Sequence, residues 1–440
     1  MAMGRGHWCF YLLKRFDAQQ VSILNFYIIC LVLFAMNCSD DSLQSSSNSD
    51  DSVIYGCTDI SSINFDSTAT ENDGSCIYCG LDTSFTSIQG GTAGYDITRS
   101  NNCSFVITGI SGNKTILIKV NESGKELWNK KLGDVPGNHW GKSVRQTQDY
   151  GFIIGANQNT IIKTDSSGAL EWFSKLSFSS NHFVEDVIET EDGDFIAVGG
   201  VGGDPIGGHN QKGQAFILKL SNGGNVQWVK RYGISDSPND SFWGVVQSDD
   251  GGFVLAGEKL QSRNFEFYDH FWIMKTDQDG NMLWSHELGG NLWDEAKNIV
   301  KLSDDSYIVI GKKSLSSNNL NMWAIRISTD GQILWNTHHG NNNYETGQSV
   351  SLSENEEVIA VAGYSRTSSG APFNYRIWGL DVNNGKLLWD KVHGGVQEDE
   401  AYGIATGYDN GYMVVGKSYS FGNDRVNWLI KTNSVGEISN

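Results

Sequence analysis

The chain has 440 residues, 39% hydrophobic and 19% charged, a composition that excludes an intrinsically disordered protein. Glycine (51) far outnumbers proline (4) without a Gly-X-Y period, which excludes collagen, and a formal charge of -19 with basic residues scattered singly excludes a nucleic-acid partner. With 14 Trp, 16 Tyr and 20 Phe, the aromatic content favours strands, so an all-β protein is expected.

The first element in chain order is an address. Arg5, Lys14 and Arg15 precede an apolar run of 16 residues, Val21 to Met36, which is shorter than the roughly 20 residues a spanning helix needs. Residues 1–37 therefore read as an export signal, with an uncleaved signal anchor as the alternative. Ala35-Met36-Asn37-Cys38 resembles the lipobox of bacterial lipoproteins, although Asn37 stands where that motif places a small residue. The resemblance implies acylation of Cys38, membrane attachment through that lipid, and a Ser/Asp-rich tether over 38–54. It places the protein at the outer membrane and cell surface of a Gram-negative bacterium.

All seven cysteines lie at or before position 103. Once the signal is removed and Cys38 is acylated, Cys57, Cys76, Cys79 and Cys103 remain, an even set that suits an oxidising compartment and allows three pairings. Gly56-Cys57-Thr58-Asp59 through Asp73-Gly74-Ser75-Cys76 resembles a short repeat found beside larger domains in exported bacterial proteins. That resemblance implies Cys57 with Cys76, and with it Cys79 with Cys103, and sets off 55–80 as a small Cys-rich motif. Asp66, Glu71 and Asp73 lack EF-hand spacing and read as turn residues in preference to calcium ligands.

From residue 81 to 440 the chain repeats a unit of about 51 residues. Strand-end glycines recur seven times, at Gly109, Gly155, Gly199, Gly257, Gly311, Gly363 and Gly416. Turn glycines follow at Gly124, Gly168, Gly224, Gly280, Gly331, Gly385 and Gly436, and the first six are trailed four residues later by Trp128, Trp172, Trp228, Trp284, Trp335 or Trp389. The seventh unit stops before its tryptophan strand, whereas Ser84-Phe85-Thr86-Ser87-Ile88 supplies a matching strand at the other end, with Phe85 in place of tryptophan. The expected fold is a seven-bladed β-propeller of four-stranded blades, closed by an N-terminal strand that completes the last blade. Gly141, Gly244, Ala296, Gly347 and Ala401 are expected where the innermost strands converge on the axis.

Two stretches resemble known repeats. Gly379 to Trp389 is similar to the tryptophan-docking motif of quinoprotein-like (PQQ-like) propellers, in which tryptophan and glycine lock neighbouring blades. Asp250 to Gly257 and Trp272 to Asp277 resemble the tandem DGGYivaG and WliKtD repeats of exported bacterial propellers, which carry no catalytic residues to transfer. Quinoprotein dehydrogenases have eight blades and a pair of adjacent cysteines; this sequence has seven units and no such pair.

No serine elbow, P-loop or HExxH motif occurs. His338 and His339 are adjacent in a strand and point to opposite faces, so they cannot share a metal. Lys119, Lys163, Lys219, Lys275, Arg326 and Lys431 recur at one phase and read as strand-end residues. Asp294-Glu295, Asp399-Glu400 and Glu345 open innermost strands and are placed at one mouth of the channel, the position for a divalent cation. Trp140, Trp243 and Trp293 fall outside the repeated tryptophan phase, in loops before innermost strands, and are the candidate ligand-binding residues. The expectation is a monomeric, non-catalytic surface module for a glycan or protein ligand, without a resident cofactor unless calcium. A quinoprotein-like or carbohydrate-active enzyme using the channel is the alternative.

Overall fold

The computed structural model describes residues 53–438, apart from 61, 63, 81–83, 90, 177–181, 202–213, 234–239, 264–265, 341–342 and 423. The export signal, Cys38 and the tether as far as 52 lie outside the described residues. Ile54–Asn440 forms one compact unit. The described residues are all-β, with no helix among them.

The Cys-rich segment contributes one short parallel pair, Tyr55–Gly56 with Glu71–Asn72. Disulfides join Cys57 to Cys76 and Cys79 to Cys103, so the second bond ties this segment to the strands that follow.

The remaining described strands form three four-stranded antiparallel sheets and two eight-stranded ones, each of the latter made of two antiparallel groups of four. We number these groups as units 1 to 7. Their inner strands are Ala93–Ser100, Gly141–Gln146, His182–Glu189, Ser241–Gln247, Glu295–Lys301, Tyr344–Leu352 and Asp399–Thr406. Single bridging pairs, Gly200 with Ser241 and Leu320 with Tyr344, link units 3 to 4 and 5 to 6. Unit 7 takes its fourth strand from the other end of the chain: Phe85–Gln89 pairs antiparallel with Val426–Thr432, Phe85 opposite Lys431. Each inner strand packs against the next, and that of unit 7 packs against that of unit 1, so the cycle of contacts returns to its start and the fold is propeller-like. At the junction of units 7 and 1, a Cβ on Gly403 would come within 2.9 Å of the Asp96 Cα.

Burial follows from this stacking. The second and third strands are covered on both faces: Phe152–Ala156, apolar throughout, and Thr160–Thr164 are buried at every position. The fourth strands alternate exposed and half-buried residues, as in Leu170–Lys175. Core clusters lie between neighbouring units; one joins Val254 and Ile273 of unit 4 to Val309 and Ile325 of unit 5.

The repeated glycine and tryptophan meet across unit boundaries. Gly168, Gly224, Gly280, Gly331, Gly385 and Gly436 all have positive φ, and each lies against the tryptophan of the preceding unit: Trp128, Trp172, Trp228, Trp284, Trp335 and Trp389. Gly124 lies against Phe85, so the residue that replaces tryptophan fills the same place where the chain ends meet. The indoles of Trp284 and Trp335 donate to Thr329 O (3.1 Å) and Val382 O (2.9 Å) of the following unit. His339 bonds Gly385 O at 3.1 Å while His338 faces Asn321 at 3.0 Å, so the two imidazoles do separate work.

The recurring basic residues are ion-paired within the inner hairpins. Lys163, Lys219, Lys275, Arg326 and Lys431 meet Asp149, Asp192, Asp250, Asp304 and Asp409, all turn residues. In unit 1, Lys119 donates to Asn101 instead.

Candidate functional site

Every inner strand carries a β-bulge at the same place. The register slips between Gly94 and Asp96, Gly141 and Ser143, Val184 and Asp186, Phe242 and Gly244, Ala296 and Asn298, Gly347 and Ser349, and Ala401 and Gly403. A bulge leaves one residue without a cross-strand partner and turns its side chain away from the regular alternation. Those residues are Tyr95, Lys142, Glu185, Trp243, Lys297, Gln348 and Tyr402, and all of them line a single cavity. This cavity receives side chains from every inner strand, which puts it on the axis.

The bulge side chains interact around the ring. Tyr95 and Tyr402 approach with ring centroids 5.4 Å apart, and Lys142 reaches Glu185 Oε2 at 3.4 Å. Lys297 Nζ lies 3.7 Å from the Trp243 ring centroid and 2.5 Å from Glu295 Oε2. The residues that follow the bulges add a polar layer. Arg145 bridges Asp96 (2.6 Å) and Asp186 (3.2 Å), while Asp186 also accepts from Val187 N and, across the unit boundary, from Val245 N. Burial pushes the Asp186 carboxyl up to about 6, against the pull of Arg145.

Three polar atoms on this lining are buried and have no hydrogen-bond partner among the described residues: Ser143 Oγ, Glu185 Oε1 and Trp243 Nε1. They comprise a hydroxyl, an acceptor and a donor. An unpaired buried polar group costs on the order of 1–3 kcal/mol, so their concentration on one cavity distinguishes it from ordinary core.

The sequence-based candidates do not gather here. Trp243 lies inside the strand Ser241–Gln247, not in the preceding loop, and is the one tryptophan on the axis. Trp140, half-buried, precedes its strand, and its amide donates to Asn157 Oδ1 at 2.6 Å; Trp293 is 45% exposed. Neither lines the cavity. The small residues also differ from expectation. A Cβ on Gly141 would come 2.0 Å from Thr108 Oγ1 of unit 1, and one on Gly244 would press on Asn298 and Ile299 of unit 5. They relieve crowding between neighbouring units, while the axis itself is filled by the larger bulge residues.

The acids that open inner strands are largely occupied. Asp294 and Asp399 accept from Gly290 N and Gly395 N at 2.9 and 2.8 Å and so fix the connecting loops. Glu345 pairs with Arg376 at 3.1 Å and Glu400 with Lys417 at 2.9 Å.

Fold and lining together define the class: an all-β, propeller-like protein with a polar axial cavity. By sequence, no protein family matches the chain and no curated protein does. Among solved structures, it is similar to a protein of unknown function from Bacteroides caccae, at 13% identity over 66% of this chain and 93% of that one, TM-score 0.45. The Neurospora crassa Pan2 WD40 domain matches at 9% identity over 79% and 91%, TM-score 0.49. A protein of unknown function from Dyadobacter fermentans DSM 18053 matches at 10% identity over 80% and 98%, TM-score 0.47.

Proposed function

We propose that the chain is a seven-bladed β-propeller, exported as a lipoprotein acylated at Cys38 and displayed at the outer-membrane surface, that acts as a non-catalytic binding module. Its ligand is an uncharged, hydroxyl-rich molecule, a glycan, received at the axial cavity. The two disulfides fit an exported protein.

The observation that carries the reading is the set of unpaired atoms, Ser143 Oγ, Glu185 Oε1 and Trp243 Nε1, on the axial lining. Hydroxyl groups both donate and accept, and so can answer all three. The charged lining residues are already paired, Lys142 with Glu185, Arg145 with Asp96 and Asp186, and Lys297 with Glu295 beyond the lining, which favours a neutral ligand over an ionic one.

Calorimetric titration of the full chain against mono- and oligosaccharides of varied linkage tests this. The expected result is saturable binding that Trp243→Phe, which keeps a ring but removes the N–H, weakens about tenfold or more. Absence of any response, or affinities unchanged in both Trp243→Phe and Glu185→Gln, would overturn the axial glycan site and leave a protein ligand. Release of a cleaved sugar during the titration would move the chain among carbohydrate-active enzymes.

A further inference from the structure

A second polar cluster lies where units 4 and 5 meet, and it differs in kind from the axial ring. Glu258 stands on the second strand of unit 4, Asp269 on its third strand Glu266–Thr276, and Glu295 opens the inner strand of unit 5. Each is more than nine-tenths buried, and one carboxylate oxygen from each lies within 4.8 Å of the others. Asp269 Oδ1 is buried with no hydrogen-bond partner.

The fold itself does not ask for acids at these positions. Glu258 follows the strand-end Gly257 as Tyr364 follows Gly363 in unit 6. Asp269 stands three residues before Trp272, the partner of Gly257; Phe373 stands three before Arg376, the partner of Gly363. In unit 6 those two places hold aromatic rings, Tyr364 and Phe373, with centroids 5.0 Å apart. Glu295, which stands in unit 5 where Glu400 stands in unit 7, thus faces two further carboxylates. Burying a carboxylate costs several kcal/mol unless something compensates it.

Compensation within the chain is incomplete. Lys297 and Lys312 both bind Glu295, at 2.5 and 2.6 Å, and outweigh the effect of burial to hold its carboxyl at about 2. Asp269 is pushed up to about 7 by burial and by the Glu295 charge, and Glu258 rises well above the ordinary range for the same reasons. Asp240 adds its charge to the field at Asp269. Glu258, Asp269 and Glu295 are three acids facing Lys297 and Lys312, so the fully ionised group carries more negative than positive charge.

We infer that Glu258, Asp269 and Glu295 form a site for a hard divalent cation, calcium, between units 4 and 5. Three carboxylates supply the oxygen donors calcium takes, at about 2.3–2.6 Å from the ion, and opposed ligands around it therefore stand up to about 5 Å apart. The ion offsets that negative excess. Asp269 Oδ1 becomes a ligand atom in place of an unpaired one. Because Lys297 spans from Glu295 to the Trp243 ring, the ion also steadies one wall of the axial cavity.

The test uses the full chain stripped with a chelator, titrated with calcium chloride, and with magnesium chloride at matched ionic strength, by calorimetry and thermal unfolding. Calcium is expected to bind at one saturable site and to raise the melting temperature by several degrees at saturation. Asp269→Asn and Glu258→Gln should each abolish that shift. Both remove charge from a crowded cluster, so their calcium-free melting temperatures should equal or exceed that of the parent, and loss of response cannot be ascribed to misfolding. No binding at millimolar calcium would overturn the inference. So would a shift that survives in both variants, since the ion would then sit elsewhere, for instance on the Asp66 and Asp73 turns.

Discussion

Asp192 and Asp250 answer Lys219 and Lys275 across the inner hairpins and are both drawn down to about 2; the Lys219 hydrogen bond leads at Asp192, while at Asp250 Lys275 overcomes the upward push of burial. A carboxyl lowered in the folded state stabilises the fold above its unfolded pKa, about 4, and that contribution disappears as pH falls through the folded value. The melting temperature should therefore drop between about pH 4 and pH 2, and Asp192→Asn with Asp250→Asn should flatten the drop. Asp186, at about 6, and Asp269, at about 7, act with the opposite sign. Between about pH 4 and pH 7 the folded chain holds protons that the unfolded chain has released, so stability falls as pH rises through that window. Melting curves from pH 2 to 9 should accordingly peak near pH 4 to 5 in the absence of divalent ions, and Asp269→Asn should remove part of the decline on the alkaline side.

At the scale of the element, the turn glycines have two separate duties that substitution can divide. Gly193 has φ +80° and open space for 4 Å around the point where a Cβ would stand, whereas at Gly280, φ +75°, a Cβ would meet Trp228 at 2.8 Å and Lys230 at 2.9 Å. Gly193→Ala should cost about 1–2 kcal/mol from the left-handed backbone alone. Gly280→Ala adds the displacement of an inter-unit tryptophan and should cost about 1–3 kcal/mol more. Denaturant unfolding of the pair measures the difference. These contacts are legible in the sequence because each demands one residue type: a positive φ asks for glycine, and the groove it leaves asks for a large flat ring. The axial ring is not legible in the same way. Its members, Tyr95, Lys142, Glu185, Trp243, Lys297, Gln348 and Tyr402, share no chemistry, since a bulge is set by backbone register. The same bulge explains why Trp243 reads as a loop residue: one extra position breaks the two-residue period on which a strand is recognised.

Across the whole molecule, Cys79–Cys103 is the covalent link between the Cys-rich segment and unit 1, and the loop it closes, 24 residues in separation, contains the strand Phe85–Gln89. Replacing both cysteines with serine should lower stability by about 3 kcal/mol through loop entropy, and should loosen that strand first, as amide exchange at Thr86 to Ile88 would report. The carboxylate cluster of units 4 and 5 also belongs to this scale. Glu258, Asp269 and Glu295 are unremarkable singly and lie on three different strands; only the stacking of two units brings them within 4.8 Å. Sequence spacing points to the acids that open inner strands, and of these Glu295 joins the group of three clustered carboxylates found among the described residues.

The pairing of Phe85–Gln89 with Val426–Thr432 also imposes an order in time. During synthesis the closing strand emerges before its partner, so it must wait through the passage of six complete units with its backbone donors and acceptors unsatisfied. Over that interval the same strand of a second chain is an equally good mate for Val426–Thr432, and at high local concentration two molecules can exchange closures. The Cys79–Cys103 disulfide guards against this: once formed, it tethers the waiting strand close to unit 1, beside which Val426–Thr432 of its own chain comes to lie.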